Sequence, residues 1–177
     1  MRLAAPVCAL VFLLGAQAGD KPRIAGFEVS VDGDSIRADF SLENSFGPEL
    51  LERIRTGLPS GFDFKFKLVR PRRRWFDNDI SGSTFQAVAM YNAVTREYLV
   101  NYKLNGKLIE SRVLLDEDEL HAAMTRFDDL EIFNVESIRG NRIYVRARAA
   151  LGSRSIFFLI PTTVKTDWVE SDKFALG

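Results

Sequence analysis

Cysteine is all but missing from this 177-residue chain, where Cys8 is the only one. That scarcity excludes intrachain disulfides, thiolate metal sites built from several cysteines, and CxxC redox motifs. Histidine is equally scarce, and His121 supplies the single imidazole for any acid–base or metal chemistry. Net charge is missing too. The 24 basic and 24 acidic residues cancel, so no overall field steers the protein towards nucleic acid or an anionic membrane. Any electrostatic function must therefore be local. No Gly-x-Ser-x-Gly elbow, His-Glu-x-x-His pair or glycine-rich phosphate loop occurs. These absences disfavour most enzyme classes, and the expectation is a protein without catalytic residues, metal or cofactor.

The N-terminus carries an address. Met1-Arg2 supplies one positive charge, Leu3 to Gly15 is apolar apart from Pro6, and Ala16-Gln17-Ala18 offers a small-x-small cleavage site. The run is too short for a bilayer, which needs ~20 helical residues. It reads as a secretory signal spanning residues 1–18, cleaved between Ala18 and Gly19. An uncleaved membrane anchor is the alternative. Cys8 lacks a lipoprotein context, so the mature chain is expected free in the periplasm or secreted, with no cysteine and no stable membrane insertion. Residues 19–177 then form one domain on a core without disulfides. The 46% hydrophobic content and 14 phenylalanines are ample for that core.

Period-two alternation dominates the mature chain. Phe27, Val29 and Val31 form one side of a strand, Asp32-Gly33-Asp34 turns, and Ile36, Ala38, Phe40 and Leu42 resume the rhythm. In "FDFKFKLV", Phe62, Phe64, Phe66 and Leu68 face one way and Asp63, Lys65 and Lys67 the other. Thr84 to Tyr91 and Arg96 to Leu104 flank a short loop. Asn105-Gly106 is the favoured dipeptide of a type I′ hairpin. Ile143 to Ala149 alternates again, and Ser155 to Ile160 reads as a last strand, stopped by Pro161. Two helices interrupt this pattern. One opens at Pro48 and carries Phe46, Leu50, Ile54 and Leu58 as its stripe. The other opens at Asp116 with Glu119 in a capping-box arrangement, followed by Leu120, Ala123, Met124 and Phe127. Hairpins require antiparallel pairing. The fold class is therefore α+β, mainly antiparallel β in a sandwich-like sheet of hairpins, with two amphipathic helices.

The stretch Arg70-Pro71-Arg72-Arg73-Arg74-Trp75 is the most conspicuous candidate site. Continued parity would place Arg70, Arg72 and Arg74 on the core face below Leu68, where unpaired charge is too costly. The strand must leave the sheet near Val69 or shift register through a bulge. The arginines then guard an edge, partly neutralised by Asp77 and Asp79, or form a docking patch of arginine and tryptophan. Nucleic acid is not expected, because one short cluster lacks a broad basic face. Asp77 and Asp79 could hold a divalent cation, but the arginines compete for them. His121 falls at the solvent boundary of the second helix, an ordinary place for a surface histidine rather than a general base. The acidic run from Asp116 to Glu119 suits a helix N-terminus.

The order of these features resembles a bacterial family catalogued as domain of unknown function number 4390. The resemblance rests on "RTGLPSGFDFKFKL", "RPRRRWFDNDI", "AMYNAVTREYLVNY", "SRVLLDEDEL" and a tail in which Ile160-Pro161 precedes "DWVESDKF". Trp75-Phe76 stands where the family often has consecutive tryptophans. The resemblance implies an exported single-domain protein and brings no catalytic residues. The expectation is a non-enzymatic periplasmic accessory protein that contacts an envelope or sensory complex through Arg70, Arg72, Arg73, Arg74 and Trp75. The alternative is a binding module for a small apolar or anionic ligand, which would call for an enclosed apolar cavity.

Overall fold

The alternating segments fold as antiparallel strands in two sheets. The computed structural model describes residues 21–72, 77–136, 138–152 and 164–176; the expected strand at Ser155 to Ile160 lies outside them. The first hairpin is β1 (Arg23–Asp32) and β2 (Ser35–Glu43). Helix α1 (Pro48–Arg55) leads into β3 (Ser60–Arg70), β4 (Asn78–Asn92), β5 (Glu97–Leu104) and β6 (Lys107–Leu114). Helix α2 (Glu117–Thr125) precedes β7 (Arg126–Asn134) and β8 (Gly140–Gly152). Three short strands, β9 (Val164–Lys165), β10 (Val169–Glu170) and β11 (Phe174–Leu176), all pair with β8. The small sheet runs β1-β2-β7, and the large one β10-β8-β3-β4-β5-β6. The α+β class, mainly antiparallel β with two helices, is the observed one.

Phenylalanines join the sheets. On β2, Ile36, Ala38, Phe40 and Leu42 are buried, as are Phe62, Phe64, Phe66 and Leu68 on β3. Phe40 meets Phe64 at 5.2 Å, Phe66 at 5.7 Å and Phe127 at 5.0 Å between ring centroids. Phe127 in turn meets Phe64 at 5.1 Å and Phe85 at 5.2 Å. Several of these pairs are edge-to-face, an arrangement that adds to area burial because ring edges and faces carry opposite partial charge.

The helices begin and end where their residues dictate. Pro48 opens α1, Glu49 lies in its first turn, and Arg53 and Arg55 lie in its last. Ile54 is fully buried. Leu58, expected on the same stripe, lies beyond the helix end and is more than half exposed. In α2 the amide of Glu119 donates to Asp116 Oδ1 at 2.8 Å. Leu120 and Met124 have no exposure. Phe127, expected to complete the helical stripe, is instead on β7, because α2 stops at Thr125 and the chain extends directly into strand. Arg55 pairs with Glu117 and ties the two helices together.

The Asn105-Gly106 hairpin forms as expected. Leu104 pairs with Lys107, and both turn residues have positive φ, 49° and 81°. Gly61 answers a different demand. A Cβ there would lie 1.9 Å from the Ala87 carbonyl oxygen of the neighbouring strand.

Two measurements check this packing. Phe64→Ala should cost about 3–5 kcal/mol in chemical denaturation, since a buried ring leaves a cavity among other rings. Gly61→Ala should cost about 1–3 kcal/mol through overpacking against backbone. Midpoints near wild type for both would mean that β3 presents its other side to the core.

Candidate functional site

The arginine stretch begins where the register breaks. Leu68 pairs with Ser81 but Val69 pairs with Asp79, so Ile80 is an extra residue in β4. The bulge expected near Val69 is there, and β3 ends at Arg70, before Pro71. The edge-guard reading needs correction, however. β3 lies between β4 and β8 in the interior of the large sheet, so Arg70 and Arg72 stand at the end of a strand paired on both sides. Arg73, Arg74 and Trp75 lie outside the described residues.

Among the described residues the two aspartates make no ion pair with Arg70 or Arg72. Asp79 forms its ion pair with Lys67. Asp77 accepts a hydrogen bond from the Tyr144 hydroxyl at 2.6 Å and another from the Arg72 amide at 3.3 Å. These bonds, the tyrosine's foremost, hold the Asp77 carboxyl below its ordinary range. Burial and the same bond push the Tyr144 phenol up to about 12. Arg70 donates from Nη2 to the Arg139 carbonyl at 2.7 Å. Among the described residues neither Arg70 nor Arg72 has a carboxylate partner.

A second basic group adjoins this end of β3, on the face turned away from the core. Lys65 pairs directly with Arg148, and Lys67 with Arg146, across β3 and β8. Like charges directly opposite on one face of an antiparallel pair are destabilising, and here two such pairs follow one another. Trp168 lies over them. Its ring centre is 4.6 Å from Arg148 Cζ, 5.2 Å from Arg146 Cζ and 5.7 Å from Lys67 Nζ. The electron-rich ring face attracts these cations. Glu170 reaches Arg146 Nε at 3.4 Å. Lys65 and Arg148 have no acidic partner among the described residues.

Hydroxyl groups on either side of Trp168 fix it there. Thr166 Oγ1 accepts from the Ala149 amide at 3.0 Å, and its own amide donates to the Ala149 carbonyl. Ser171 repeats this arrangement with Val145, accepting at 3.0 Å on Oγ and donating its amide to the carbonyl. Residues 166 and 171 are thus stapled to β8, β10 between them pairs with Ala147 and Arg146 along the sheet edge, and the Trp168 ring lies over the outer face. Sequence reasoning assigned Lys65 and Lys67 to a solvent face and did not connect them with Arg146, Arg148 or Trp168. The alternation of arginine in "YVRARAA" was the available signal; the register that aligns it with "FKFKL" was not.

Other candidates are plainer. His121 is exposed, with the Phe46 ring edge-on at 5.1 Å. It lines a depression of about 430 Å³ with Glu43, Asn44 and Arg126. A second depression of about 420 Å³ lies between Lys21, Arg23, Asn44 and Asp167. Both open to solvent, and neither is the enclosed apolar chamber that a small-ligand module would use.

The Tyr144–Asp77 bond makes a pH prediction. The phenol stays protonated in the fold where it would ionise in the unfolded chain. Its stabilisation is therefore complete below about pH 10 and is lost as pH rises towards about 12. Tyr144→Phe should flatten that alkaline loss and raise the Asp77 pKa. Identical alkaline melts for both proteins would mean that the bond does not persist in solution.

Residues 20–168 match the family model described as a domain of unknown function, DUF4390, and the chain belongs to that family. No curated protein and no solved structure matches it.

Proposed function

We propose that this member of the DUF4390 family is an exported, non-enzymatic accessory protein that binds an anionic protein partner in the cell envelope. The contact is the basic outer face around Trp168 and the adjoining start of the arginine stretch. The observation that carries this reading is the pair of like-charged cross-strand neighbours, Lys65 with Arg148 and Lys67 with Arg146. A sheet selected for stability alone would place an acid in at least one of those four positions. A sequence choice that opposes local stability is characteristic of a surface kept for binding. Arg148 and Lys65, which have no acidic partner among the described residues, can receive carboxylates or phosphates, and arginine does so with two parallel donors.

Export accounts for the leader-like residues 1–18, and packing among phenylalanines holds the exported fold without disulfides. The open depressions give less support to a small-ligand module. Within the proposed surface, Arg70 and Arg72 add positive charge at the adjoining end of β3, and Arg73, Arg74 and Trp75 follow them in sequence. The sheet thereby presents one charged side to a partner, although the protein as a whole is neutral.

The test separates binding from folding. In the double variant Lys65→Glu/Arg148→Glu the opposed pair only changes sign, and losing Arg148 from the Trp168 ring face costs about 0.5–1 kcal/mol, too little to unfold the protein. The single variant Lys65→Glu converts repulsion into attraction while Arg148 keeps its place over the Trp168 ring, and it should raise stability by about 0.2–1 kcal/mol. Both variants should lose the partner that wild-type protein retains from a detergent-solubilised envelope, and that wild-type capture should weaken with added salt. Retention of the same partner by both variants, or capture insensitive to salt, would remove the outer face from consideration.

A further inference from the structure

The two ends of the large sheet are treated differently. At one end, β9, β10 and β11 pair along β8. At the other, β6 has no neighbour beyond β5 among the described residues. Seven of the eight β6 residues are exposed, and only Leu114 is partly covered. Leu108, Ile109 and Val113 are exposed by 58%, 50% and 59%. An apolar edge of this length, with no proline, is a template for another strand. Its charges also need explaining, because an edge made to repel strands would carry one sign.

The sequence of β6 indicates which strand fits. Ile109-Glu110-Ser111-Arg112-Val113 is symmetric about Ser111 in chemical character: apolar, charged, hydroxyl, oppositely charged, apolar. We propose that β6 pairs antiparallel with β6 of a second copy of this chain, with Ser111 opposite Ser111. Glu110 of each copy then faces Arg112 of the other, and Ile109 faces Val113. Within one copy Arg112 already donates to Glu110, at 2.6 Å from Nε and 3.3 Å from Nη2. The second copy completes a square of four alternating charges. Arg112 is also placed for this by the Tyr102 ring, 5.1 Å from its Cζ.

Register follows from the same charges. A slip by two residues in one direction sets Glu110 against Glu110, and in the other sets Arg112 against Arg112. Either slip replaces attraction with repulsion. Glu110, Arg112 and Leu114 pair with Tyr102, Val100 and Tyr98 of β5, the buried positions of that strand. The inner faces of both large sheets therefore lie on the same side of the joined sheet, related by a twofold axis through Ser111. This is an isologous interface that closes on itself, so pairing ends at two copies and uses up the open edge.

Sedimentation equilibrium on purified wild-type protein, three charge variants and one cysteine variant tests the proposal. Wild type should be a dimer. Glu110→Arg alone and Arg112→Glu alone should each weaken dimerisation by about tenfold or more, because both symmetry-related pairs become repulsive. The double variant Glu110→Arg/Arg112→Glu should regain the dimer. An equimolar mixture of the two single variants should form a heterodimer that neither forms alone. Ser111→Cys should oxidise to a covalent dimer, since directly opposed residues of an antiparallel pair lie within disulfide reach. Far-ultraviolet circular dichroism shows whether each variant is folded; a single variant that fails to fold leaves the double variant and the cysteine variant to decide. Wild type that stays monomeric, binds only a foreign peptide strand at β6, or forms a dimer indifferent to the charge variants would overturn the proposal.

Discussion

The contact of Phe40 and Phe127 with Phe64 and Phe85 fixes which side of every strand faces inward. Two sheets without a disulfide between them can hold their relative position only through packing, and here the packing is aromatic. Once Phe64 is seated between Phe40 and Phe127, period two forces Lys65 and Lys67 outward. The same seating of Phe85 turns Tyr102 inward, where the rings stack at 5.9 Å and the hydroxyl donates to the Ala123 carbonyl at 2.8 Å. That in turn sets Glu110 and Arg112 on the inner side of β6. The basic outer face and the exposed β6 edge are thus both consequences of one aromatic cluster.

Strand β3 shows how a core requirement and a surface requirement are met by one segment. Its inward residues are phenylalanines and a leucine, and its outward residues are charged. Near its end the alternation would carry arginine into the core. The strand ends first: Arg70 is its last residue, exposed and bonded to the Arg139 carbonyl, and the extra residue Ile80 breaks the register with β4 at Val69. Val69 and Tyr144, paired across β3 and β8, are both buried. The Tyr144 hydroxyl then finds Asp77 rather than water. The Asp77 carboxylate is thus spent on a phenol and a backbone amide rather than on the guanidinium of Arg70 or Arg72.

Most of the large sheet was legible because its strands alternate over eight or more residues. The hairpin at Asn105-Gly106, both helix starts and the bulge at Val69 each had a local chemical cause, and local causes are visible in sequence. β7 was not legible. Its residues read buried, exposed, exposed, partly buried at Phe127, Asp128, Asp129 and Leu130, because Asp129 adopts positive φ. Asp39 and Arg37 support that conformation, at 2.6 Å to the Asp129 amide and 2.7 Å to its carboxylate. Both partners lie some ninety residues away in sequence, so no window could have contained the reason. The strands β9 to β11 are too short to show any period. The candidate site suffered for a similar reason: Lys65 and Arg148 are neighbours only once β3 and β8 pair, and arginine clustered along the chain draws attention away from basic residues clustered in space.

The unequal ends of the large sheet connect these observations. Covering β8 uses the last part of the chain, and the same segment carries Trp168 onto the basic face, held by Thr166 and Ser171. Edge protection and the organisation of the basic face are therefore one structural device at that end. No comparable segment is present at β6 among the described residues, and a strand with apolar side chains on both faces is left exposed. A chain that protects one edge with three short strands and leaves the other bare is arranged asymmetrically for association. If β6 is occupied by a second copy, the two basic faces are carried on one continuous sheet, on its outer side and related by the twofold axis. An anionic partner would then meet two equivalent faces at a fixed separation, and binding at both would gain from the second contact being intramolecular.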